Sequence, residues 1–273
     1  MITRYFNEEN FARLLSDFGF LQKTLKAYKG ELDISLRDQY LNLYFRGNNA
    51  AKIIFKANGV YEIEIHEKFF SDSLSKDTRF TSKLRKNNRV LKTTAELLHP
   101  ALQKSYLDEI YRNIKAENYS EELAFEQMLM TDNLNRDDLI IIDRQVTDRN
   151  LKGRRMDLLA LKQAQKNQYH FLVLEVKMGN NPELKDAVAE QVNTYVNHID
   201  ENFEAYKACY EKHYSQKKQF RIIWEPTWTE IEIVKDVQGM IIVGGYSRIA
   251  KAQIETLEEN HPALKIRSFA YKI

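Results

Sequence analysis

The sequence predicts an α/β protein that carries an α+β module at its N-terminal end. Residues 40–65 alternate apolar and polar side chains between turn residues, which is typical of an antiparallel meander. Residues 120–199 instead contain a helical pattern, three short apolar runs and a second helical pattern, in that order. With 273 residues and 43% hydrophobic content, the chain is long enough for one large core or two smaller ones.

Charge and cysteine content exclude several classes of protein. Basic and acidic residues nearly cancel, leaving a formal net charge of +2, so attraction to nucleic acid must come from local clusters. The single cysteine, Cys209, cannot form an internal disulfide, which fits a reducing compartment. The first residues lack the layout of a signal peptide, and no apolar run approaches a membrane span. We therefore expect a soluble cytoplasmic protein with no membrane partner.

Residues 1–118 form the predicted N-terminal α+β module. A helix is expected over Asn7–Leu15 and helical structure over residues 93–117. Strands are expected at Tyr40–Phe45, Ala51–Phe55 and Val60–Ile65, with Asn58-Gly59 as a hairpin turn. The element types change near Ser120 without a Pro/Gly-rich linker, and we place the domain boundary between residues 118 and 119.

Residues 119–273 form the predicted second domain. Ser120 is expected to cap a helix whose first turn holds Glu121 and Glu122. Three strands should follow, and after Pro182 a helix should run from Glu183 to Ile199. The predicted strands are Leu139–Asp143, Arg155–Leu161, Tyr169–Lys177, Phe220–Trp224, Glu230–Val234, Met240–Val243 and Ile266–Tyr271. The core order is therefore helix, three-stranded meander, helix, strand.

Charged residues lie at the ends of two apolar strands of this domain. Because side chains alternate along a strand, Glu175 and Lys177 leave it on one face. If Asp157 lies opposite the end of that strand, two carboxylates meet, and a cation such as Mg²⁺ would relieve their repulsion. A structural salt bridge between Asp157 and Lys177 is the alternative. Glu-x-Lys alone is a common pattern, since Glu183-Leu184-Lys185 is a second copy.

These residues resemble the signature of a known superfamily. Asp157 followed by Glu175-Val176-Lys177 resembles the PD-(D/E)xK nuclease motif, and the predicted element order is similar to that superfamily's restriction endonuclease-like core. The segment Gln191-Val-Asn-Thr-Tyr195 resembles the Gln-x-x-x-Tyr motif of the branch related to RecB and phage exonucleases. Met156 stands where the motif often has proline. The resemblance covers about residues 120–245 and leaves the N-terminal module outside.

The resemblance implies a nuclease that depends on Mg²⁺, with Mn²⁺ as a substitute. Asp157, Glu175 and the Val176 carbonyl would be the metal ligands. Lys177 would orient or deprotonate the attacking water, or stabilise the transition state. A glutamate of the first core helix also joins the metal site in this superfamily, and Glu122 is favoured here.

Two further sets of side chains are expected near this site. Glu126, one turn after Glu122, is the alternative helix glutamate. Gln191 and Tyr195 are four residues apart and share a helical face, so both can approach the strand ends. Packing in the core is the alternative for Tyr195.

Basic residues cluster in two places that suit a nucleic acid. Lys76–Lys92 carries seven basic residues against one acid, and its predicted phosphate contacts are Lys83, Arg85, Lys86 and Arg89. Lys152, Arg154 and Arg155 directly precede the Asp157 strand and are better placed to grip a substrate near the metal. Solvated surface is the alternative for the first cluster.

These patterns leave three functional hypotheses. The first is a nuclease acting on DNA, with RNA as the second substrate class, in DNA repair or in defence against foreign DNA. The N-terminal module would then recognise substrate, bind a protein partner or form a homodimer. The second is an inactive nuclease-like module that binds nucleic acid or protein. The third is an interaction protein whose charged residues form a structural network.

Overall fold

The computed structural model describes residues 2–117, 120–151, 153–223 and 225–270. These residues form two compact units. The N-terminal unit contains the described residues from 3 to 123 together with 216–222. The C-terminal unit contains Ile2 and the described residues of 124–215 and 223–270. Within these ranges, no helix combines the length and apolar character needed to cross a bilayer.

The N-terminal unit is built on one antiparallel sheet. Its helices are Glu8–Asp17 (α1), Phe20–Ala27 (α2), Asp72–Lys76 (α3), Ala95–Ala101 (α4) and Lys104–Glu117 (α5). Its strands are Leu32–Leu36 (β1), Tyr40–Phe45 (β2), Asn48–Phe55 (β3), Tyr61–His66 (β4), Ser82–Arg85 (β5) and Asn88–Thr93 (β6). The strand order is β1-β2-β3-β4-β6-β5.

The core of the N-terminal unit explains why its sequence alternates. Leu43, Ile53 and Ile63 come from three neighbouring strands and are buried in one apolar cluster. Ile110 and Ile114, one helical turn apart on α5, belong to the same cluster. The predicted meander is therefore present, and it is wider than predicted because β1, β5 and β6 extend it.

The C-terminal unit is built on a mixed sheet. Its helices and strands are α6 (Glu121–Asp132, which begins in the N-terminal unit), β7 (Leu139–Thr147), β8 (Arg155–Gln165), β9 (Gln168–Met178), α7 (Ala187–Glu201), α8 (Phe203–Gln219), β10 (Glu232–Ile233), β11 (Gln238–Gly244), α9 (Ser247–Asn260) and β12 (Lys265–Phe269). The main path is β12-β11-β9-β8-β7, and β10 pairs with the start of β9. Strands β7, β8 and β9 are antiparallel neighbours, whereas β11 runs parallel to β9 and β12.

Helices pack on both faces of this mixed sheet. One face contributes Leu158, Leu174 and Val176 to a cluster with Phe125 of α6. Residues of β11 join a second cluster with Val188 and Val192 of α7. Because side chains alternate, Asp157, Glu175 and Lys177 leave β8 and β9 on the face opposite to α6.

Two strand predictions are wrong in whole or in part. Phe220–Ile223 do not form a strand, because they form the turn after α8, in which Arg221 has a φ of 58° and the Ile222 amide donates to the Lys217 carbonyl. Trp224 lies outside the described residues. Only Glu232 and Ile233 of the predicted Glu230–Val234 strand pair with a neighbour. The helical structure predicted for residues 93–117 is present from Ala95 onward as α4 and α5, and Pro100, which lacks a backbone donor, lies near the break between them.

Other predicted boundaries shift by a few residues. Strand β3 begins at Asn48, three residues before the predicted start at Ala51. The second half of the basic stretch Lys76–Lys92 forms the β5–β6 hairpin. After Pro182 the chain first forms a short 3₁₀ helix, Pro182–Lys185, and α7 begins only at Ala187.

Gly244 at the end of β11 tests the close packing of α6 on the sheet. A Cβ added there would lie 2.5 Å from Cε1 of buried Phe125, so one of the two must move. We expect Gly244→Ala to lower the free energy of unfolding by about 1–3 kcal/mol in a urea titration. Gly19→Ala is the matched control, because an added Cβ meets nothing within 4 Å there. An equal loss in both variants would contradict this packing.

Candidate active site

The pairing of β8 with β9 brings Asp157 and Glu175 together. Leu158 is the Cα partner of Leu174, so Asp157 falls opposite Glu175 one position further along. The Oδ2 atom of Asp157 accepts a hydrogen bond of 3.0 Å from the main-chain amide of Val176. Both carboxyl groups are buried. The hairpin therefore places two acidic side chains side by side at the end of the sheet.

Lys177 binds two carboxylates from different segments. Its Nζ atom lies 2.9 Å from Oε1 of Glu175 and 3.1 Å from Oε2 of Glu183. The lysine side chain is only 6% exposed, whereas that of Glu183 is 50% exposed. A buried ammonium needs such partners, because its loss of hydration is otherwise uncompensated.

The environment of Glu175 disfavours its charged form. Burial and the neighbouring Asp157 carboxylate raise the pKa of Glu175 well above its ordinary value, although the Lys177 ammonium opposes the shift. Among the described residues, no hydrogen-bond partner reaches the buried Oε2 atom of Glu175. A proton shared with the Asp157 carboxyl group, or a bound cation, would satisfy this oxygen.

Helix α6 contributes a buried ion pair close to this site. Glu126 accepts a hydrogen bond of 3.1 Å from Arg144, and both side chains are almost completely buried. Burial raises the pKa of Glu126 to about 7, with Arg144 opposing the shift and Asp157 adding to it. The Asp157 charge therefore acts on Glu126, the alternative to Glu122 in the sequence prediction. Glu122, favoured from the sequence, lies one turn earlier and is partly buried.

The Gln191 and Tyr195 pair of α7 reaches the start of β8. Gln191 Nε2 donates to the Tyr195 hydroxyl at 3.0 Å, and that hydroxyl donates to the main-chain carbonyl of Arg155 at 2.9 Å. Burial raises the pKa of Tyr195, and the negative charges of Glu175 and Asp157 raise it further. Tyr195 is therefore packed in the core and also holds the strand that carries Asp157.

A polar groove lies beside α7 in the C-terminal unit. It has a volume of about 680 Å³ and is lined by Asn150, Leu151, Arg154, Thr194, Asn197, His198 and Glu201. Arg154 donates a hydrogen bond of 3.3 Å to the Thr194 hydroxyl, and both Arg154 and Arg155 are exposed. Lys152 lies outside the described residues.

The predicted phosphate contacts of the N-terminal unit are partly neutralised. Arg85 of β5 lies 3.3 Å from Glu64 and 3.6 Å from Glu62 of β4, the strand on the far side of β6. Arg89 pairs with Glu67 at 3.3 Å. Lys83 and Lys86 are exposed on the β5–β6 hairpin. The local charge of this surface is therefore smaller than the sequence segment suggests, because the acids come from another strand.

Sequence reasoning missed two residues of the site, Arg144 and Glu183. Arg144 lies in β7 beyond the predicted strand end at Asp143. Glu183 belongs to the second Glu-x-Lys copy, which had no distinguishing context. The carboxylate of Glu183 nevertheless contacts the lysine of the first copy.

Comparison with known proteins finds no matching family model, no similar curated protein and no similar solved structure. The resemblance to the PD-(D/E)xK motif therefore depends on the residues and distances described above.

The raised pKa of Glu175 predicts that the fold becomes less stable when this carboxyl group is ionised. A carboxyl group whose folded pKa is raised stabilises the fold fully below its ordinary pKa, near 4.5, and this contribution is lost as the pH rises through the folded pKa. Without divalent metal, the free energy of unfolding of Glu175→Gln should therefore be about 1–3 kcal/mol higher than that of wild type at about pH 8. The difference should shrink towards about pH 5.

Urea unfolding in EDTA at several pH values measures this difference. Glu190→Gln is the matched control, because Glu190 is an exposed glutamate on α7 and its replacement removes a carboxylate without disturbing the buried site. A Glu175→Gln variant that is less stable than wild type at the higher pH would contradict the raised pKa.

Proposed function

We propose that this protein is a metal-dependent nuclease that hydrolyses phosphodiester bonds, with DNA as the expected substrate and RNA as the second class. The observation that carries the proposal is the pair of buried carboxyl groups of Asp157 and Glu175, which lie side by side at the strand ends next to the Lys177 ammonium. A divalent cation would relieve the repulsion between the two carboxylates.

The donor atoms at this site fit Mg²⁺, with Mn²⁺ as a substitute. Mg²⁺ prefers oxygen ligands and is usually held by one or two carboxylates, with water completing its coordination. Asp157 and Glu175 would supply the carboxylates, and the Val176 carbonyl would be a further ligand. The described residues contain no group of three or more His, Cys, Asp or Glu arranged to hold a metal, so water and substrate oxygens would complete the set. The bound ion would supply a more acidic water and neutralise charge on the phosphate.

The protein's own side chains would perform three tasks around the phosphate. Lys177 would stabilise the negative charge that develops on phosphorus oxygens, or orient the attacking water. The Val176 amide holds the Asp157 carboxylate in a fixed orientation. Tyr195 holds the β8 backbone at Arg155, so Asp157 is positioned from both sides.

Substrate binding would depend on basic side chains near the strand ends. Arg154 and Arg155 are exposed and close in sequence to Asp157, and the groove beside Arg154 is lined mainly by polar side chains that suit a phosphodiester backbone. Lys83 and Lys86 would add contacts from the N-terminal unit, which we propose to recognise substrate, bind a partner or form a homodimer. A restriction endonuclease-like core, a cytoplasmic location and a role in DNA repair or defence complete the proposal.

Removing the site's charged groups should abolish cleavage. We expect Asp157→Asn and Lys177→Met to cut plasmid and linear DNA at least about a hundredfold more slowly than wild type with Mg²⁺ or Mn²⁺, because each lacks a group that stabilises the transition state. Asp200→Asn is the matched control, since Asp200 pairs with the exposed Lys235 at 3.4 Å. Equal rates in all four proteins would overturn the nuclease assignment.

A binding module without turnover is the second candidate. The observation that favours it is the ion-pair network of Lys177 with Glu175 and Glu183, which gives the buried ammonium two partners without a metal. This candidate predicts DNA affinity that falls with salt but is equal in EDTA and in Mg²⁺.

Fluorescence anisotropy with labelled DNA separates the two candidates. For the nuclease, the inactive Asp157→Asn variant should still bind DNA. In that background, Arg154→Gln should reduce the slope of log affinity against log salt concentration by about 1, which corresponds to the loss of one phosphate contact. Lys235→Gln, an exposed lysine paired with Asp200, is the control for a general loss of charge. Binding without cleavage by wild type in any divalent metal would favour the second candidate.

A further inference from the structure

Lys177 lies between two carboxylates with different surroundings. Glu175 is buried and belongs to the same strand, whereas Glu183 is half exposed and belongs to the next segment. Both distances from the Nζ atom are within hydrogen-bonding range, at 2.9 and 3.1 Å. The ammonium therefore has two alternative anchors.

The main chain holds Glu183 in place independently of Lys177. The side-chain oxygen of Asn181 accepts a 3.0 Å hydrogen bond from the main-chain amide of Glu183. The main-chain amide of Asn181 donates a 2.8 Å hydrogen bond to the Met178 carbonyl. The next residue, Leu184, is fully buried in the cluster that contains Val188 of α7 and Ala250 of α9. The carboxylate is thus presented by a turn anchored in the core.

A divalent cation and the ammonium would compete for Glu175. A metal bound by Glu175 takes up the carboxylate charge that now attracts Lys177, and its own positive charge repels the ammonium at short range. The buried ammonium still needs a negatively charged partner. Glu183 is already at hydrogen-bonding distance, so this partner requires only a small displacement.

We propose that Glu183 is a positioning residue that holds the Lys177 ammonium when Glu175 binds the metal. This inference rests on the proposed function. By retaining the ammonium, Glu183 weakens the competition of Lys177 for Glu175 and keeps the positive charge beside the scissile phosphate. Glu183 acts through Lys177 and touches neither metal nor substrate.

The test is a double-mutant cycle read by metal-dependent thermal stabilisation. The melting temperatures of wild type, Glu183→Gln, Lys177→Met and the double variant are measured across a Mg²⁺ titration without nucleic acid. We expect Glu183→Gln to raise the Mg²⁺ concentration needed for half of the stabilisation about tenfold, as is typical for groups that orient a metal ligand. In the Lys177→Met background, Glu183→Gln should change it by less than about twofold.

Any of three other outcomes would overturn the proposal. An equal loss of Mg²⁺ response with and without Lys177 would make Glu183 a direct metal ligand. A wild-type response in Glu183→Gln would leave Glu183 with a structural role only. If wild type itself shows no stabilisation by Mg²⁺ or Mn²⁺, the metal site of the proposed function is overturned together with the role of Glu183. If wild type is stabilised and Glu183→Gln responds equally, only the role of Glu183 is overturned.

Steady-state cleavage kinetics provide a second test of the positioning role of Glu183. Glu183→Gln should lower kcat about tenfold at saturating Mg²⁺ and leave KM for DNA within about twofold, because the ammonium is displaced from the reacting phosphate rather than from the binding surface. Glu190→Gln, an exposed glutamate on α7, should match wild type in both assays. A change in KM alone would overturn the proposal.

Discussion

The register between β8 and β9 is the constraint on which the rest of the site depends. Because Leu158 pairs with Leu174, Asp157 falls opposite Glu175, and the Val176 amide is within reach of the Asp157 carboxylate. A slip of one residue would turn every side chain of one strand to the other face and send its acidic residue into the α6 core. Apolar residues on the α6 face of both strands keep this register, so the hydrophobic core determines the geometry of the charged groups.

Burial of charge then determines what this geometry can do. Glu126 and Glu175 both have raised pKa values, since each carboxyl group is removed from water. Arg144 opposes the shift at Glu126 through a buried ion pair, whereas Glu175 shares the ammonium of Lys177 with Glu183 and lies beside the Asp157 carboxyl group. The first contact joins one acid to one base. The second gathers three carboxyl groups around one ammonium, and the proposed function therefore centres on Glu175 and its neighbours.

Much of the fold was predictable where periodicity and local turn chemistry agree. The β2 strand, the α6 helix capped at Ser120 and the β8–β9 hairpin all follow from patterns within a few residues. The apolar stretch at Phe220 was misinterpreted because an apolar run that packs between helices and strands looks like a buried strand. The β5–β6 hairpin was missed because its exposed, charged residues hide the alternation, and its partner acids on β4 come from a separate strand.

The sequence by itself determined the identity and spacing of Asp157, Glu175 and Lys177, and the alternation that places the last two on one face. It also determined that Gln191 and Tyr195 share one side of a helix. Only the tertiary structure decided which other charges join them: Arg144 through the pairing of β7, and Glu183 through a turn anchored by Leu184. The physical reason is that the two-residue alternation of a strand predicts only which face each of its own side chains takes. The partners of a buried charge come from other segments, which packing brings together.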